Sequence, residues 1–553
     1  MTPDQITCWV NDALKMGNQK KSAIGVAIIV GYITVKKCRN MIKIRAEKKK
    51  IKQKVAGIKE KKSNMTKSLE NEGVLVTPAR RAILDLGIKE LVENLRSGQL
   101  SPVIVLKAYQ ARALEVDKEI NAVCDFITEA DDWARHLETI AEDDRGPLYG
   151  VPISVKECFL LKGYDATIGL SSLIGHPATD DCHLVAALKS LHAIPFCITN
   201  FPQTLISYSC SNPIYGETVN PHDQSRTCGG SSGGEAALIA AGGSLLGIGT
   251  DLGGSVRIPA HMSGICSLKP TNGRIYESGQ RASVGTGCES MANGVYSANG
   301  FLSQSVDGLV LSMSALLKNP EKMAREDWRV VPIPWREAMF NRGKKLKIGW
   351  YDQDGYFPAT PGCSRAVHEA KTLLESNGHE VVQFTPPGLG KLAQLELEFL
   401  YAHKGYHALN AFDGIPLDKA IEAVVINYKL PRIIKFLLSP VLKWVSDKLY
   451  HFIHCGPELS RDLWVKNAEK DAIEYNLMAA WEEGGYDVLI APACSIPAPP
   501  SNYCSWLLQG TALCCSGSDC DVYFSYQLHL GLQCPQLPSR QGSNKELKSK
   551  RRF

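Results

Sequence analysis

The chain has 553 residues, of which 44% are hydrophobic and 22% are charged, so it carries enough apolar material for a large buried core. This length indicates two or more domains, or one large α/β domain with additions. The net charge of +5 is uneven, because residues 36–67 contain 14 Lys and Arg against two Glu, which leaves −7 on the remainder. A basic block on an acidic body indicates a surface partner for that block and argues against a nucleic-acid-binding protein.

The 18 cysteines are scattered along the chain. They form neither a CxxC pair nor a Cys and His spacing typical of a metal site, so we expect no metal ion and no other cofactor. Reduced thiols in a protein that faces the cytosol are the simpler interpretation of this pattern.

An uncharged apolar run covers residues 22–35 and has lysines on both sides. It is shorter than the roughly 20 residues of a spanning helix, although flanking lysines that snorkel and a thinned bilayer still allow a span. No signal-peptide cleavage site follows the run, so we favour an uncleaved membrane anchor over a buried or interfacial helix. The basic juxtamembrane segment, residues 36–68, then predicts that everything downstream faces the cytosol, and it is also suited to anionic lipid.

The folded body is predicted to cover residues 69–500. Ser101 and Pro102 predict the start of a helix, as N-cap and first-turn residue. Strands and helices then alternate, which favours an α/β fold with a largely parallel or mixed sheet. The predicted elements are a strand at 149–156, a helix at 180–192 and strands at 193–199, 346–351, 380–384 and 487–491.

Two Gly-Gly-Ser turns in the middle of the chain carry most of the chemical information. The sequences CGGSSGG at residues 228–234 and LGGSVRIP at residues 252–259 bracket a short apolar helix, 235–241, and a strand of small residues. Glycine lets the backbone approach a ligand closely, and successive N–H groups in such a turn form an anion-binding concavity. Beside a nucleophile this concavity is an oxyanion hole. We expect four N–H groups around it, from Leu252, Gly253, Gly254 and Ser255.

A serine nucleophile needs a base, and no histidine of this chain stands in a recognisable triad. His183, His222 and His261 are each interpreted as surface or satisfied side chains. A lysine can serve if burial keeps it neutral, because desolvation lowers the lysine pKa. Lys156 ends an apolar strand, where the edge of a sheet would present it to a site.

Two other interpretations of the Gly/Ser segment are a flexible linker and a phosphate-binding turn. The apolar helix at 235–241 argues against a solvated linker. No Lys-Ser or Lys-Thr follows at the spacing of a P-loop, which argues against the phosphate-binding turn.

The pattern resembles the amidase signature family of hydrolases. The matching stretches are VPISVKE at residues 151–157, GGSSGG at 229–234, GTDLGGSVRIP at 249–259 and GICSLKPT at 264–271. The resemblance implies a large twisted mixed α/β sheet surrounded by helices, and an amidase that needs no cofactor.

The resemblance also implies roles for individual residues. Ser255 would be the acylated nucleophile, Ser231 the bridging serine that passes the proton, and Lys156 the general base. The oxyanion and substrate-binding residues would be Leu205, Ser231, Leu252, Gly253, Gly254 and Ser255. Supporting residues would be Ser232, Thr250, Asp251 and Arg257.

Within the family the chain looks most like the vertebrate fatty-acid amide hydrolases, on the stretches 148–159, 207–213 and 264–271. This likeness implies a lipid amide substrate, an acyl channel near Leu205, Ile206, Tyr208 and Ile258, and an endoplasmic-reticulum-like membrane location; it also allows a homodimer. Residues 424–452 mix apolar and basic residues, which suits a helical cap lying in a membrane interface. Pro431 and Pro440 are expected to break that stretch into short helices.

The resemblance ends near residue 500, and residues 501–553 form a divergent Cys-, Ser- and Gln-rich tail. Three alternatives to a fatty-acid amide hydrolase therefore stay open. The chain could be another amidase, such as one that releases ammonia from glutamine, or a non-catalytic membrane-associated isoform. His403 and His407 have the spacing of the His-Glu-x-x-His motif of metal hydrolases, but Lys404 stands where that motif needs Glu. A metal hydrolase is therefore disfavoured.

Overall fold

The computed structural model describes residues 18–74, 78–281, 296–341, 343–400, 402, 406–456 and 459–501. The predicted tail, except for Ser501, lies outside the described residues. The helices of the first half are α1 (Asn18–Asn71), α2 (Pro78–Leu84), α3 (Ile88–Arg96), α4 (Pro102–Ile120), α5 (Ala130–Leu137), α6 (His183–Ser190), α7 (Gly233–Ala240) and α8 (Arg257–Ser263). Short 3-10 helices cover Glu142–Asp144, Ser171–Leu173 and Gln203–Leu205.

The first helix of the second half packs against the strands Cys266–Leu268 and Ala298–Ser303 of the main sheet. The helices of this half are α9 (Val306–Leu316), α10 (Pro320–Glu326), α11 (Glu337–Phe340), α12 (Pro361–Ser376), α13 (Leu389–Leu400), α14 (Tyr406–Ala411), α15 (Lys419–Lys429), α16 (Arg432–Val445), α17 (Asp447–His454) and α18 (Ser460–Gly484).

The strands form a mixed sheet, a parallel sheet and a short hairpin. They are β1 (Val123–Phe126), β2 (Pro152–Lys156), β3 (Ile194–Thr199), β4 (Ser211–Asn212), β5 (Gly216–Glu217), β6 (Leu246–Asp251), β7 (Cys266–Leu268), β8 (Ala298–Ser303), β9 (Lys347–Trp350), β10 (Glu380–Gln383) and β11 (Val488–Ile490).

The main sheet has the strand order β1-β3-β2-β6-β8-β7. The inner strands β3, β2 and β6 run parallel, while β1, β8 and β7 pair antiparallel with their neighbours. Every residue of β2, β3 and β6 is buried, as expected for strands covered on both faces. Helices α4 and α7 pack against these strands. The expected mixed α/β sheet surrounded by helices is therefore confirmed.

The local elements follow the sequence pattern closely. The six strands and helices predicted between residues 149 and 491 all form, with ends within a few residues of the expected ones. Helix α4 begins as predicted, because the Ser101 hydroxyl accepts the N–H groups of Val103 (3.1 Å) and Ile104 (3.4 Å). The second sheet, in the order β10-β9-β11, is entirely parallel.

Helix α1 joins the predicted anchor and the basic segment in one continuous helix of 54 residues. Its C-terminal part packs against α4 and β1, and Leu69 near its end is fully buried. Four of its lysines form ion pairs with acidic residues of the body: Lys43 with Asp413 (3.0 Å), Lys54 with Asp165 (2.7 Å), Lys61 with Asp125 (3.0 Å) and Lys62 with Asp117 (2.6 Å). Part of the basic block thus has its partner within the same chain.

The described part of the chain includes all of α1 and the helices of the predicted cap. There, no helix combines the length and the apolar character that crossing a bilayer requires.

The predicted cap, residues 424–452, consists of the end of α15 followed by α16 and most of α17. Pro431 separates α15 from α16 as expected. The expected break at Pro440 is wrong, because Pro440 lies inside α16. A proline costs the helix one N–H donor, and the Ser439 hydroxyl supplies a donor nearby by bonding the Lys435 carbonyl at 2.9 Å.

The ion pairs of α1 generate a stability prediction. Lys62 also donates to the carbonyl of Val123 (2.6 Å), so Lys62→Met removes a charged donor from two partly buried acceptors. We expect the free energy of unfolding to fall by about 1.5–3 kcal/mol, measured as a shift of the denaturant midpoint. Lys67→Met, at an exposed position of the same helix, is the control and should change it by less than about 0.5 kcal/mol. Equal midpoints for the two variants would contradict the docking of α1.

Candidate active site

The candidate site lies where two neighbouring parallel strands of the main sheet end. Lys156 is the last residue of β2 and Asp251 is the last residue of β6, so both leave the sheet at the same edge. Ser231 comes just before α7, and Ser255 comes just before α8. The edge beyond the carboxyl ends of parallel strands is a common place for a ligand site.

Lys156 is completely buried and makes two hydrogen bonds to hydroxyl groups. Its Nζ donates to Ser231 Oγ at 2.7 Å and to Thr250 Oγ1 at 2.8 Å. Ser231 is itself 1% exposed. The structure therefore brings together the lysine and one of the two serines that the sequence predicted to act in one site.

The environment of Lys156 favours the neutral amine. Burial lowers the pKa of Lys156 below its ordinary value, because a charged ammonium loses its hydration. The nearby Cys158 thiol and the carboxylates of Asp251 and Glu235 act in the opposite direction but do not cancel this effect. A lysine of this kind can accept a proton from a hydroxyl group.

The Asp251 carboxylate organises the turn that carries Ser255. It accepts the backbone N–H groups of Gly254 (2.7 Å) and Val256 (3.0 Å), and it forms an ion pair with the guanidinium of Arg257 at 2.9 Å. Burial alone would raise the pKa of Asp251, but Arg257, Lys269 and these N–H donors hold it well below its usual value. Asp251 is therefore ionised and fixes the backbone on both sides of Ser255.

This arrangement reduces the number of N–H groups expected in the oxyanion hole from four to three. The N–H of Gly254 already donates to Asp251, so it is not directed at an oxyanion in this structure. The Asp251 carboxylate therefore occupies one of the four N–H donors that the Gly-Gly-Ser pattern predicted. The expected donors are then the N–H groups of Leu252, Gly253 and Ser255.

Backbone contacts hold the two serine turns against each other. The N–H of Ser232 donates to the carbonyl of Ser255 at 3.0 Å. The close approach requires glycine: a Cβ on Gly230 would lie 2.5 Å from the carbonyl oxygen of Ser207, and one on Gly249 would lie 2.6 Å from Ser232 Oγ. The peptide bond between Gly230 and Ser231 is cis. Gly230 and Gly249 are thus explained by the close packing of the segments around them.

The four residues expected in an acyl channel fall into different surroundings. Tyr208 and Ile258 are buried in one apolar cluster with Phe357, Leu397 and Val424. The Tyr208 hydroxyl also donates to the carbonyl of Gly253, which links this cluster to the turn of the site.

Leu205 packs instead at the edge of the main core, and Ile206 beside it is partly exposed. Thr204 and Leu205 have left-handed backbone conformations, with φ of 59° and 63°. Such conformations are strained for β-branched and bulky residues and are often found at functional sites.

Glu235 is a buried group of the site that the sequence interpretation did not single out. Its carboxyl group accepts hydrogen bonds from Ser154 Oγ (2.5 Å) and Thr199 Oγ1 (2.8 Å), and burial raises its pKa to about 8. It therefore connects α7 to the strands β2 and β3. The available signal was an acidic residue in the first turn of a helix that is otherwise apolar.

The histidines considered from the sequence have structural partners. His222 Nε2 is 2.8 Å from the carbonyl of Ser263, and His261 Nε2 is 3.0 Å from the carbonyl of Ile496. The ring of His183 stacks on Tyr276. Within the described ranges, no group of three or more His, Cys, Asp and Glu side chains could hold a metal ion.

Comparison with known proteins agrees with this geometry. Residues 104–519 match the family described as Amidase, a range that continues into the first part of the predicted tail. The chain belongs to the amidase signature family.

Particular relatives narrow the assignment within that family. The chain is 40% identical to the vitamin D3 hydroxylase-associated protein of Gallus gallus, over 69% of this chain and 81% of the relative. It is 38% identical to fatty-acid amide hydrolase 1 of Sus scrofa, over 75% and 70% of the two chains. A solved fatty acid amide hydrolase structure aligns with a TM-score of 0.69 and 24% identity, covering 86% of this chain and 82% of the other, and this likeness supports the fold. The protein is thus an amidase signature hydrolase related to the fatty-acid amide hydrolases.

The Asp251 network generates a stability prediction with a defined pH dependence. Asp251→Asn leaves the largely buried guanidinium of Arg257 without its carboxylate, so we expect a loss of about 3–5 kcal/mol at neutral pH in denaturant unfolding. Because the folded-state pKa of Asp251 is lowered, its contribution is complete above the ordinary value of 3.8 and decreases as the pH falls below it. Asp143→Asn, an exposed control, should have little effect; a similar loss there would contradict the prediction.

Proposed function

We propose that this protein is a serine amidase that hydrolyses fatty-acid amides through an acyl-enzyme on Ser255. The observation that carries the proposal is the fully buried Lys156, whose lowered pKa and 2.7 Å contact with Ser231 suit a general base. A solvated structural lysine would have neither feature. Membership of the amidase family supports the same reaction class.

The proposed reaction begins with the neutral amine of Lys156. Lys156 takes the proton of Ser231 as Ser231 takes the proton of Ser255, and Ser255 Oγ forms a bond to the amide carbon. When the carbon–nitrogen bond breaks, the same proton returns through Ser231 to the leaving amine. Water then attacks the acyl-enzyme by the same route and releases the fatty acid.

Two features of the site support these steps. Thr250 Oγ1 holds the Lys156 amine from a second side at 2.8 Å, which fixes its direction toward Ser231. The N–H groups of Leu252, Gly253 and Ser255 would stabilise the oxyanion that develops on the amide oxygen. The Asp251 carboxylate keeps the turn in place before substrate binds.

The lipid nature of the substrate is supported by the apolar cluster and the cap. Tyr208 and Ile258 share their cluster with Val424 of α15, so an apolar region extends from the site toward the cap. On α16, the side chains of Phe436 and Trp444 are 72% and 86% exposed, beside basic residues of the same helix. An apolar and basic helix face of this kind suits a membrane interface, from which a lipid amide would enter. We propose a location on an endomembrane, with the site facing the cytosol and α1 contributing to attachment.

The nucleophile is tested by labelling with a fluorophosphonate serine probe. We expect the wild-type protein to be labelled and Ser255→Ala to lose both the label and at least about 10³-fold of amide hydrolysis, since a serine hydrolase without its nucleophile retains little activity. Ser190→Ala, at an exposed position, is the matched control and should be labelled normally. A folded wild-type protein that takes no label would favour the non-catalytic isoform instead.

The substrate class and the cap are tested together in vesicles. We expect a large advantage for a long-chain amide over butyramide, since each buried CH₂ contributes about 0.8 kcal/mol. Trp444→Ala should slow hydrolysis of the long-chain amide in vesicles and leave butyramide hydrolysis unchanged.

Trp328→Ala is the control for this experiment, because Trp328 is exposed to a similar extent (84%) and lies far from α16 in the sequence. Equal rates for the two amides would favour another amidase, and an equal effect of both tryptophan variants would remove the membrane role of the cap.

A further inference from the structure

A cavity of about 180 Å³ lies outside the site described above. It is enclosed by the turn that follows β7, by helix α9 and the residue after it, and by residues 331–340. Its walls are mostly apolar and are formed by Met313, Leu317, Val331, Ile333, Trp335 and Phe340. None of the candidate catalytic residues lines it, so amide hydrolysis does not explain its presence.

The frame of the cavity is fixed by backbone hydrogen bonds. The N–H of Val331 donates to the carbonyl of Gly273 at 2.8 Å, and the N–H of Trp335 donates to the carbonyl of Leu317 at 3.2 Å. Gly273 has φ of +71°, and a Cβ there would lie 2.5 Å from the carbonyl oxygen of Arg329. The cavity therefore exists before any ligand binds, which lowers the ordering cost of binding.

Two guanidinium groups give the cavity a positive charge. Arg274 donates to the carbonyls of Ile333 and Pro334, which hold it across the cavity and use two of its five N–H groups. Arg336 lies close enough that, together with burial, it lowers the pKa of Arg274.

No acidic side chain is among the described residues that line the cavity. Glu337, the residue after Arg336, does not line the cavity and accepts hydrogen bonds from Trp335 Nε1 and Asn341 Nδ2, both at 2.7 Å. The charged side chains that line the cavity are therefore both cationic, which favours an anionic ligand.

We propose that this cavity binds a small aromatic monocarboxylate, with its ring against Trp335 and Phe340 and its carboxylate at Arg274 and Arg336. A cavity of roughly 150 Å³ already holds benzene, so the available volume suits one ring with a short acid arm and excludes a long acyl chain. A guanidinium group matches the geometry of a carboxylate. The site is separate from the proposed amide site and does not depend on its activity.

The proposal is tested by fluorine NMR titration of the full chain with 4-fluorophenylacetate and with the neutral 2-(4-fluorophenyl)ethanol. We expect saturable binding of the acid to the wild-type protein and clearly weaker binding of the alcohol. Arg336→Gln should weaken binding of the acid roughly tenfold, the usual scale for loss of a charge-assisted hydrogen bond, and should leave binding of the alcohol unchanged. Arg325→Gln, an exposed arginine outside the cavity, is the matched control and should bind as the wild type does.

Val331→Trp locates the binding. Val331 is 53% exposed, so a larger side chain fits there without disturbing the fold, which thermal unfolding verifies, and it fills part of the cavity. We expect this variant to lose binding of the acid. The proposal is overturned if the wild-type protein does not bind the acid, if the alcohol binds equally well, or if Arg336→Gln and Val331→Trp both bind like Arg325→Gln.

Discussion

The amine of Lys156 is buried and forms no direct ion pair with any residue that the structure describes, and the rest of the site is arranged around it. Burial would be costly for an ammonium group, and the structure offers the hydroxyls of Ser231 and Thr250 as hydrogen-bond partners. Those two residues come from different parts of the motif, so the turn before α7 and the end of β6 must both meet the end of β2. The small residues of β6 and of the Gly-Gly-Ser turns are consequences of this requirement, since larger side chains would separate the three segments.

The carboxylate of Asp251 provides the rigidity that a buried amine alone cannot. It binds N–H groups on both sides of Ser255 and the guanidinium of Arg257, so the turn after β6 is held in place without a ligand. Preorganised dipoles of this kind require no rearrangement when charge develops in a reaction. Glu235 has the corresponding role behind the sheet, where it ties α7 to β2 and β3 through Ser154 and Thr199.

Local pattern predicted the strands, the start of α4 and the place of Lys156 at the sheet edge, because alternation and capping depend on nearby residues. The meeting of Lys156 with Ser231 was implied by the resemblance to the family. The errors and omissions depend on contacts between distant residues. The direction of the Asp251 side chain decides that the Gly254 N–H is occupied, and no spacing reveals it. Lys54 pairs with the carboxylate of Asp165, 111 residues away, so counting charges along the sequence could not reveal that α1 docks on the body. The helix around Pro440 continues although the proline removes one N–H donor, and the sequence around it does not reveal this.

The docking of α1 holds one part of a long, stiff helix against the body of the protein. With 54 residues it is about 80 Å long, and the ion pairs of Lys43, Lys54, Lys61 and Lys62 hold it from its middle toward its C-terminal end. A stiff helix fixes both the orientation and the separation of the segments at its two ends, whereas a disordered linker of the same length fixes neither. Anything that holds the N-terminal part of α1 therefore also limits the tilt of the catalytic body. The ion pairs are only partly shielded from water, so salt weakens their share of this attachment, while the buried contact of Leu69 remains.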